Sequence, residues 1–234
     1  MSLSQQTHQQ QTESHLTLAD KVLVQLQNSI IKGEIAAGSK INEQAIAKQF
    51  GISRGPAREA LHTLERQLLI IRAPHVGARI ARLTVNELNE LYALRSTLES
   101  MACELAAIHI SAQQLQQLAT LIQYQQHALQ NDDFDFQQQG DIDFHYQIIH
   151  ASGNQHLRRT LIDGLYHLLR MYRYQCSSGI KPTQAIAEHQ QIYTAIANAD
   201  GELAGLLMRR HIERGRQKAV LRLQQIEPFT SAQL

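Results

Sequence analysis

Apolar residues at Leu18, Val22, Leu23, Leu26, Ile30 and Ile31 recur at three- and four-residue intervals, the pattern of an amphipathic helix over 18–32. Gly33 ends it, and Ala37-Gly38 makes a turn. Asn42 is placed to cap a short helix, 43–50, with Ala45, Ile46 and Phe50 facing inwards. Gly51 follows as the left-handed residue that closes it. Ser53 opens a third helix that runs to about Gln67, with Pro56 in its first turn, where a missing N–H costs little. Two β-like runs, 69–72 and 78–83, flank Ala73-Pro74-His75-Val76-Gly77 and predict a hairpin.

From Thr84 onwards no segment reads as a strand. Leu88, Leu91, Leu94, Leu98, Met101, Leu105 and Ile108 recur every three or four residues. Further helices are predicted at about 111–130, 138–151, 154–176, 183–198 and 200–225, with ends marked by Ser111, Gly153-Asn154, Gly179 with Pro182, and Asp200. Six helices without strands make an all-α bundle. The expected organisation is a disordered tail over 1–15, a winged helix-turn-helix over 16–83, an all-α effector-binding and dimerisation domain over 84–226, and a tail over 227–234. The fold class is mainly α, with one small β-hairpin.

Composition agrees with a helical core, since only 5% of residues are aromatic and there is no Trp. Cys103 and Cys176 are too few for a disulfide framework and read as buried thiols in a reducing cytoplasm. The Gln-, Ser- and Thr-rich start has no apolar h-region, so it is neither a signal peptide nor a membrane anchor. No run of eighteen apolar residues exists, so a soluble, cytoplasmic protein without a membrane partner is expected. Charge is more telling in its distribution than in its sum. Residues 16–83 carry ten Lys/Arg against five Asp/Glu, and residues 84–234 carry twelve against fifteen. The basic first part suits a polyanionic partner.

Three helices and a hairpin in that basic segment are the plan of a winged helix-turn-helix, with Gly51-Ile52 as its tight turn. The third helix begins Ser53-Arg54-Gly55-Pro56-Ala57-Arg58. Arg54 and Arg58, four apart, share a face and can bond guanine O6 and N7 as bidentate forks. Ser53 can cap the helix or contact a phosphate. The hairpin tip, His75 to Arg79, would be the wing, reaching the minor groove or flanking phosphates; a solvated turn is the alternative. The runs Ile30-Ile31-Lys32-Gly33-Glu34 through Gly38-Ser39-Lys40-Ile41-Asn42-Glu43 and Phe50-Gly51-Ile52-Ser53-Arg54-Gly55-Pro56-Ala57-Arg58-Glu59-Ala60-Leu61 resemble the GntR family of transcription regulators. That resemblance implies that Ser53, Arg54 and Arg58 contact bases and phosphates of a double-stranded operator, and that Gly77 is the wing-tip glycine. One departure is Leu68, where many members have Gly, and it leaves the wing geometry open rather than the fold.

Asp141 and His145 lie four apart on one predicted helix, and His189 and His211 lie on two later ones. One Asp and three His make an O/N₃ set for a divalent ion such as Zn, Mn or Ni. Twelve histidines in the chain leave coincidence as the alternative. The run Asp141-Ile142-Asp143-Phe144-His145, with Ser152-Gly153-Asn154, Glu188-His189 and Met208-Arg209-Arg210-His211-Ile212, resembles the FCD effector domain of the FadR subfamily. By that resemblance Asp141, His145, His189 and His211 are the metal ligands. Arg95 sits within an apolar stripe and is either a clamp for an effector carboxylate or a salt-bridge partner of Glu99. Asn154 either assists at the effector or caps a helix. Arg170 and Arg173 are weaker effector candidates.

The resemblance thus implies a homodimeric regulator, a repressor by default, that binds a pseudo-palindromic operator and responds to a small carboxylate through a metal-containing effector domain. Similarity of 72–79 and 200–212 to regulators of propionate and methylcitrate catabolism points to a di- or tricarboxylate. A metal-free regulator sensing an acyl-CoA-type ligand is the nearer alternative, and a metal-dependent hydrolase the remote one.

Overall fold

Helix α1 (Leu18–Ile31) begins where Thr17 and Asp20 satisfy each other: Asp20 N–H donates to Thr17 Oγ1 at 3.1 Å, and Thr17 N–H donates to Asp20 Oδ2 at 2.9 Å. In this computed structural model the described residues are 17–73, 77–82, 84–131, 136–176 and 182–226, without the side chains of 73, 136–143, 175 and 226. The expected tails and His75 lie outside the described residues. The chain divides into two compact units after Arg82.

In the first unit Asn42 Oδ1 accepts from Ala45 N–H at 2.8 Å and starts α2 (Glu43–Phe50). Gly51 ends α2 at φ 64°, ψ 33°, a conformation that costs a side chain-bearing residue about 1–2 kcal/mol. Helix α3 (Arg54–Arg66) then follows. Leu26, Ile30 and Ile31 of α1 share a solvent-free core with Leu61 and Leu64 of α3 and with Leu69, Ile70 and Ile80. Each such side chain stabilises the fold by about 1.5–3 kcal/mol relative to exposure. Within this core Gln27 Nε2 donates to Gln67 Oε1 at 2.7 Å, joining α1 to the end of α3.

The hairpin is β1 (Ile70–Ala73) paired antiparallel with β2 (Gly77–Ile80), Ile70 opposite Ile80 and Ala73 opposite Gly77. It starts one residue later than the hydrophobic run suggested, because Leu68 and Leu69 close α3. Leu68 adopts φ 59°, and Leu69 N–H reaches back to Leu64 O at 3.0 Å. That is the helix ending that Gly normally serves, here carried by a leucine. The far edge of β2 is covered by Ser39–Ile41, with Ile80 N–H donating to Ser39 O and Ile41 N–H to Ala78 O, both at 3.0 Å.

The second unit contains α4 (Val85–His109), α5 (Ala112–Gln130), α6 (Phe136–Ala151), a single turn α7 (Gln155–Arg158), a π-helical segment (Arg159–Leu165), α8 (Tyr166–Cys176), α9 (Thr183–Ala197) and α10 (Gly201–Ile226). Its described residues contain no strand. Ser111 and Gln114 form a capping box at the head of α5. Helix α4 packs along α10 and against α6 and α9. The π-helical segment was not anticipated: one wide turn interrupts what reads as a continuous helix over 154–176.

Helix α4 also buries a different face from the one its leucines suggested. The inward stripe is Leu88, Leu91, Tyr92, Arg95, Glu99, Ala102, Cys103 and Ala106. Leu94, Met101 and Ile108, seven residues apart, are 54%, 43% and 73% exposed. Among the described residues no helix is long and apolar enough to cross a membrane.

Candidate functional site

At the head of α3, Ser53 is the N-cap residue but its hydroxyl makes no capping bond, and Ser53, Arg54 and Arg58 are all exposed. The first turn of α3 contains no acidic residue, so its positive dipole end is uncompensated within the helix. Arg54 lines a groove together with Lys40, Asn42, Arg72 and Gly77. Gly77 holds φ 82° at the tip end of the hairpin, opposite Ala73, a value that excludes most other residues. Glu43 is the one carboxylate of this groove, and it is already engaged. Its two oxygens accept from Arg58 Nε at 3.2 Å and from Arg58 Nη2 at 3.2 Å. Glu43 thereby holds the Arg58 guanidinium across 15 residues of sequence, a contact that the sequence motif does not disclose.

In the second unit three helices bring His145 (α6), His189 (α9) and His211 (α10) to one point, fully or almost fully buried. A ligand-capable atom of each lies within 4.8 Å of those of the other two. Asp141 lies on α6 one turn before His145, and its side chain is outside the described residues. The outer nitrogens are all held. His145 Nδ1 meets Glu99 Oε2 at 2.5 Å, His211 Nδ1 meets Glu188 Oε2 at 2.7 Å, and His189 Nδ1 meets Gln125 Oε1 at 3.1 Å.

These partners assign the tautomers. A carboxylate only accepts, so Nδ1 carries the proton in His145 and His211 and each Nε2 keeps its lone pair. The two Nε2 atoms stand 3.3 Å apart. Lone pairs at that distance repel unless a cation or proton lies between them. With Zn–N bonds of about 2.0–2.1 Å, two nitrogens on a tetrahedral ion are about 3.3–3.4 Å apart. The residues therefore fit a divalent ion. Burial, opposed in part by the neighbouring carboxylates, pushes His145 and His211 down to about 4, and burial pushes His189 well below its ordinary value. All three imidazoles are neutral near pH 7, the form that binds a metal. Burial would raise Glu99, but Arg95 and His145 override it and hold the carboxyl below the usual range.

A cavity opens beside His145, walled by Arg95 and Glu99 from α4, Ile149 from α6, Leu161 from the π-helical segment, and Tyr166, Leu169, Arg170 and Arg173. Arg95 makes the salt bridge to Glu99 that was one of its two expected roles. Its Nε donates to Glu99 Oε1 at 2.6 Å, and the same side chain lines the cavity. Burial, reinforced by Arg95, lowers Arg173 to about 10. Asn154 does not line this cavity. Its Oδ1 accepts from His156 N–H at 3.1 Å and Leu157 N–H at 3.0 Å, so its place is that of a helix cap.

Glu99, Gln125 and Glu188 were not singled out as functional residues by the motifs. Glu188 adjoins His189 in sequence, and Glu99 lies four after Arg95, but neither spacing reveals which histidine each will hold. Glu188 also takes Arg214 Nε at 2.6 Å, which anchors it between α9 and α10.

Comparison with known proteins gives two family matches. The family described as bacterial regulatory proteins, gntR family, matches residues 18–80, and the FCD domain matches residues 90–214. The chain is 30% identical over 183 residues to the uncharacterised HTH-type transcriptional regulator YdhC of Bacillus subtilis, covering 77% of this chain and 81% of that one. It is 32% identical over 145 residues to the gluconate operon transcriptional repressor of the same organism, covering 59% and 56% respectively. These relatives are regulators of transcription, not enzymes. The solved structure of Escherichia coli McbR/YncC shares the fold at a TM-score of 0.71 and 21% identity, covering 91% of this chain and all of that one.

Proposed function

We propose that this chain, which belongs to the GntR family of bacterial regulatory proteins and carries an FCD domain, is a metal-containing, FadR-subfamily repressor that releases its operator in response to a small carboxylate. The single observation that carries the sensing half is the trio of buried, neutral imidazoles turned towards one point beside a cavity walled by arginines. His145, His189 and His211 would hold the ion (Zn, Mn or Ni), with Asp141 as the fourth candidate. When bound, such an ion supplies a fixed positive charge and open coordination positions for a carboxylate oxygen. Arg95 orients the acid, Glu99 and Glu188 hold the histidine tautomers, and the apolar wall excludes water.

The output half rests on the exposed head of α3. Ser53, Arg54 and Arg58 would enter the major groove, and Lys40, Arg72 and the wing from Gly77 would engage the backbone, with His75 at its tip. One recognition helix reads one half-site, so a homodimer reads a pseudo-palindromic operator. The exposed heptad of Leu94, Met101 and Ile108 supports a second copy as the partner of α4. Such a regulator acts in the cytoplasm. The sign of regulation follows the named relative, a repressor. The acid changes operator affinity only by its differential affinity for the two arrangements of the dimer.

The test is metal analysis of tag-free protein, followed by thermal-shift measurements with organic acids, with and without chelator. Close to one ion per chain and an acid-dependent rise in melting temperature that chelation abolishes are expected. Less than about half an equivalent of metal would overturn the metal-containing reading.

A further inference from the structure

Two of the three histidines at the shared centre are held by an arginine–glutamate pair rather than by a lone carboxylate. Glu99 takes Arg95 Nε on one oxygen at 2.6 Å and His145 Nδ1 on the other. Glu188 repeats the arrangement: Arg214 Nε lies 2.6 Å from its Oε1, and His211 Nδ1 lies 2.7 Å from its Oε2. The residues are distributed differently over the helices. Arg95 and Glu99 share α4, whereas His211 and Arg214 lie three apart on α10 and are spanned by Glu188 from α9. The two pairs also differ in access to water. The side chains of Arg95 and Glu99 are 7% and 4% exposed, and packing confines them. Those of Glu188 and Arg214 are 10% and 38% exposed, so the second pair borders solvent.

A glutamate beside water has competing rotamers in which its carboxylate turns outwards and is hydrated. The ion pair of Arg214 with Oε1 disfavours them and leaves Oε2 facing His211. The proton of a neutral imidazole sits on the nitrogen whose partner accepts it. With Glu188 turned away, the His211 proton is free to move to Nε2, which stands 3.3 Å from His145 Nε2. It would then point at the His145 lone pair, and a proton would occupy the gap that an ion otherwise fills. We infer that Arg214 is a positioning residue: acting through Glu188, it keeps the His211 proton on the outer nitrogen and the inner lone pair turned to the shared centre. Its effect on ion affinity rests on the reading above that this centre holds a metal, whereas its effect on the tautomer does not.

The test compares the full-length protein with three variants. Arg214→Met keeps an unbranched side chain without donors, and Arg214→Lys restores the charge. Lys218→Met is the structural control, because Lys218 Nζ also ties α10 to α9, through Gln184 Oε1 at 3.2 Å. Long-range proton–nitrogen NMR of the metal-free protein reads the histidine tautomers, and competition against a chromophoric chelator reads zinc affinity. Wild-type His211 should carry its proton on Nδ1. Arg214→Met should bring in the Nε2–H form and lower zinc affinity about tenfold, the lower end of the cost of losing an outer partner. Arg214→Lys should recover most of both, and Lys218→Met should change neither. Should the melting curve of Arg214→Met show that it does not fold, Arg214→Gln takes its place. A wild-type tautomer in the Arg214 variant overturns the assignment, whatever the affinity does. An equal loss of zinc affinity in Lys218→Met overturns it as well, since the cation would then only tie two helices together. Failure of the wild type to bind zinc sinks the metal-centre reading alone, and the tautomer then decides the role of Arg214.

Discussion

The phenol of Tyr172 bonds both backbone groups of one residue, Thr84, accepting from its N–H at 3.2 Å and donating to its carbonyl at 3.1 Å. Thr84 caps α4 and lies two residues beyond Arg82, where the first unit ends. Tyr172 sits on α8 beside Arg173, a wall of the cavity. A shift of α8 on acid binding would therefore be passed to the segment that joins the two units. Tyr172→Phe removes both bonds and should cost about 1–3 kcal/mol of stability in the effector unit. The acid should still bind, but the ratio of operator affinities with and without it should shrink towards one. Fluorescence anisotropy on a labelled operator, with an acid that raises the melting temperature titrated in, checks this; an unchanged ratio would count against the route.

Glu188 and Glu99 hold the protons of their histidines on the side away from the shared centre. Glu188→Gln replaces an obligate acceptor with a group that can also donate, so the His211 lone pair is no longer fixed inwards. Metal affinity should fall by about 10–100-fold, the usual cost of losing such a partner. His189→Ala removes one of the three proposed histidine ligands and should abolish stoichiometric binding. Competition against a chromophoric chelator distinguishes the two, and wild-type affinity in Glu188→Gln would refute the tautomer argument.

Leu68 takes a left-handed backbone conformation, φ 59°, with its side chain 43% exposed. The strain is about 1–2 kcal/mol for a residue with a Cβ. Leu68→Gly should relieve it, offset in part by the greater freedom of glycine in the unfolded chain, and so raise the stability of the DNA-binding unit by up to about 1 kcal/mol. Denaturant unfolding reads this directly. Operator affinity should stay unchanged, because the wing already has the geometry that glycine would give it.

That position also shows what was legible in the sequence. The capping residues Asn42 and Ser111 and the turn at Gly51 announce themselves locally, within four residues of what they touch, and the arginines of α3 are legible from their place at the head of a helix. The departure at Leu68 was visible, but whether the backbone or the side chain would yield was not, since the surrounding fold decides it. The leucine pattern of α4 misled because that helix has two apolar faces, and the one that packs inside carries Arg95 and Glu99. The histidines were legible as residues; their holders were not. Glu99 and Gln125 reach His145 and His189 across 46 and 64 residues of sequence. The π-helical turn at Arg159–Leu165 changes one hydrogen-bond register without a distinct composition.

Arg54 and Arg58 differ in their surroundings and should differ when mutated. Arg58 is tethered by Glu43, whereas Arg54 lines the groove beside Lys40 and Arg72. If Arg54 reads a base, Arg54→Ala costs about 1–3 kcal/mol and relaxes preference at one operator position. If Arg58 neutralises a phosphate, Arg58→Ala weakens all sequences alike and lowers the slope of log K against log salt by about one. Binding measured over a salt series on operator and scrambled duplexes separates these outcomes. Glu43→Gln tests the tether: a loss of operator affinity means Glu43 aims Arg58, and a gain on scrambled DNA at low salt means it only subtracts charge.

Met101 lies midway along the exposed stripe of α4, between Leu94 and Ile108. Residues spaced by seven on a helix return nearly to the same side, so these three form one seam over about 21 Å at 1.5 Å per residue. Partly exposed Leu98 and Leu105 widen it. A seam of this length is unfavourable in water, and in the proposed homodimer it would meet a copy of itself about a two-fold axis. Met101→Glu puts a charge at its middle, and in a symmetric dimer the two charges approach each other. The variant should sediment as a monomer at micromolar concentration with an unaltered circular dichroism spectrum. Its affinity for a duplex bearing one half-site should match that of the wild type, while the gain from a second half-site disappears. A variant that remains dimeric would place the interface elsewhere on the molecule.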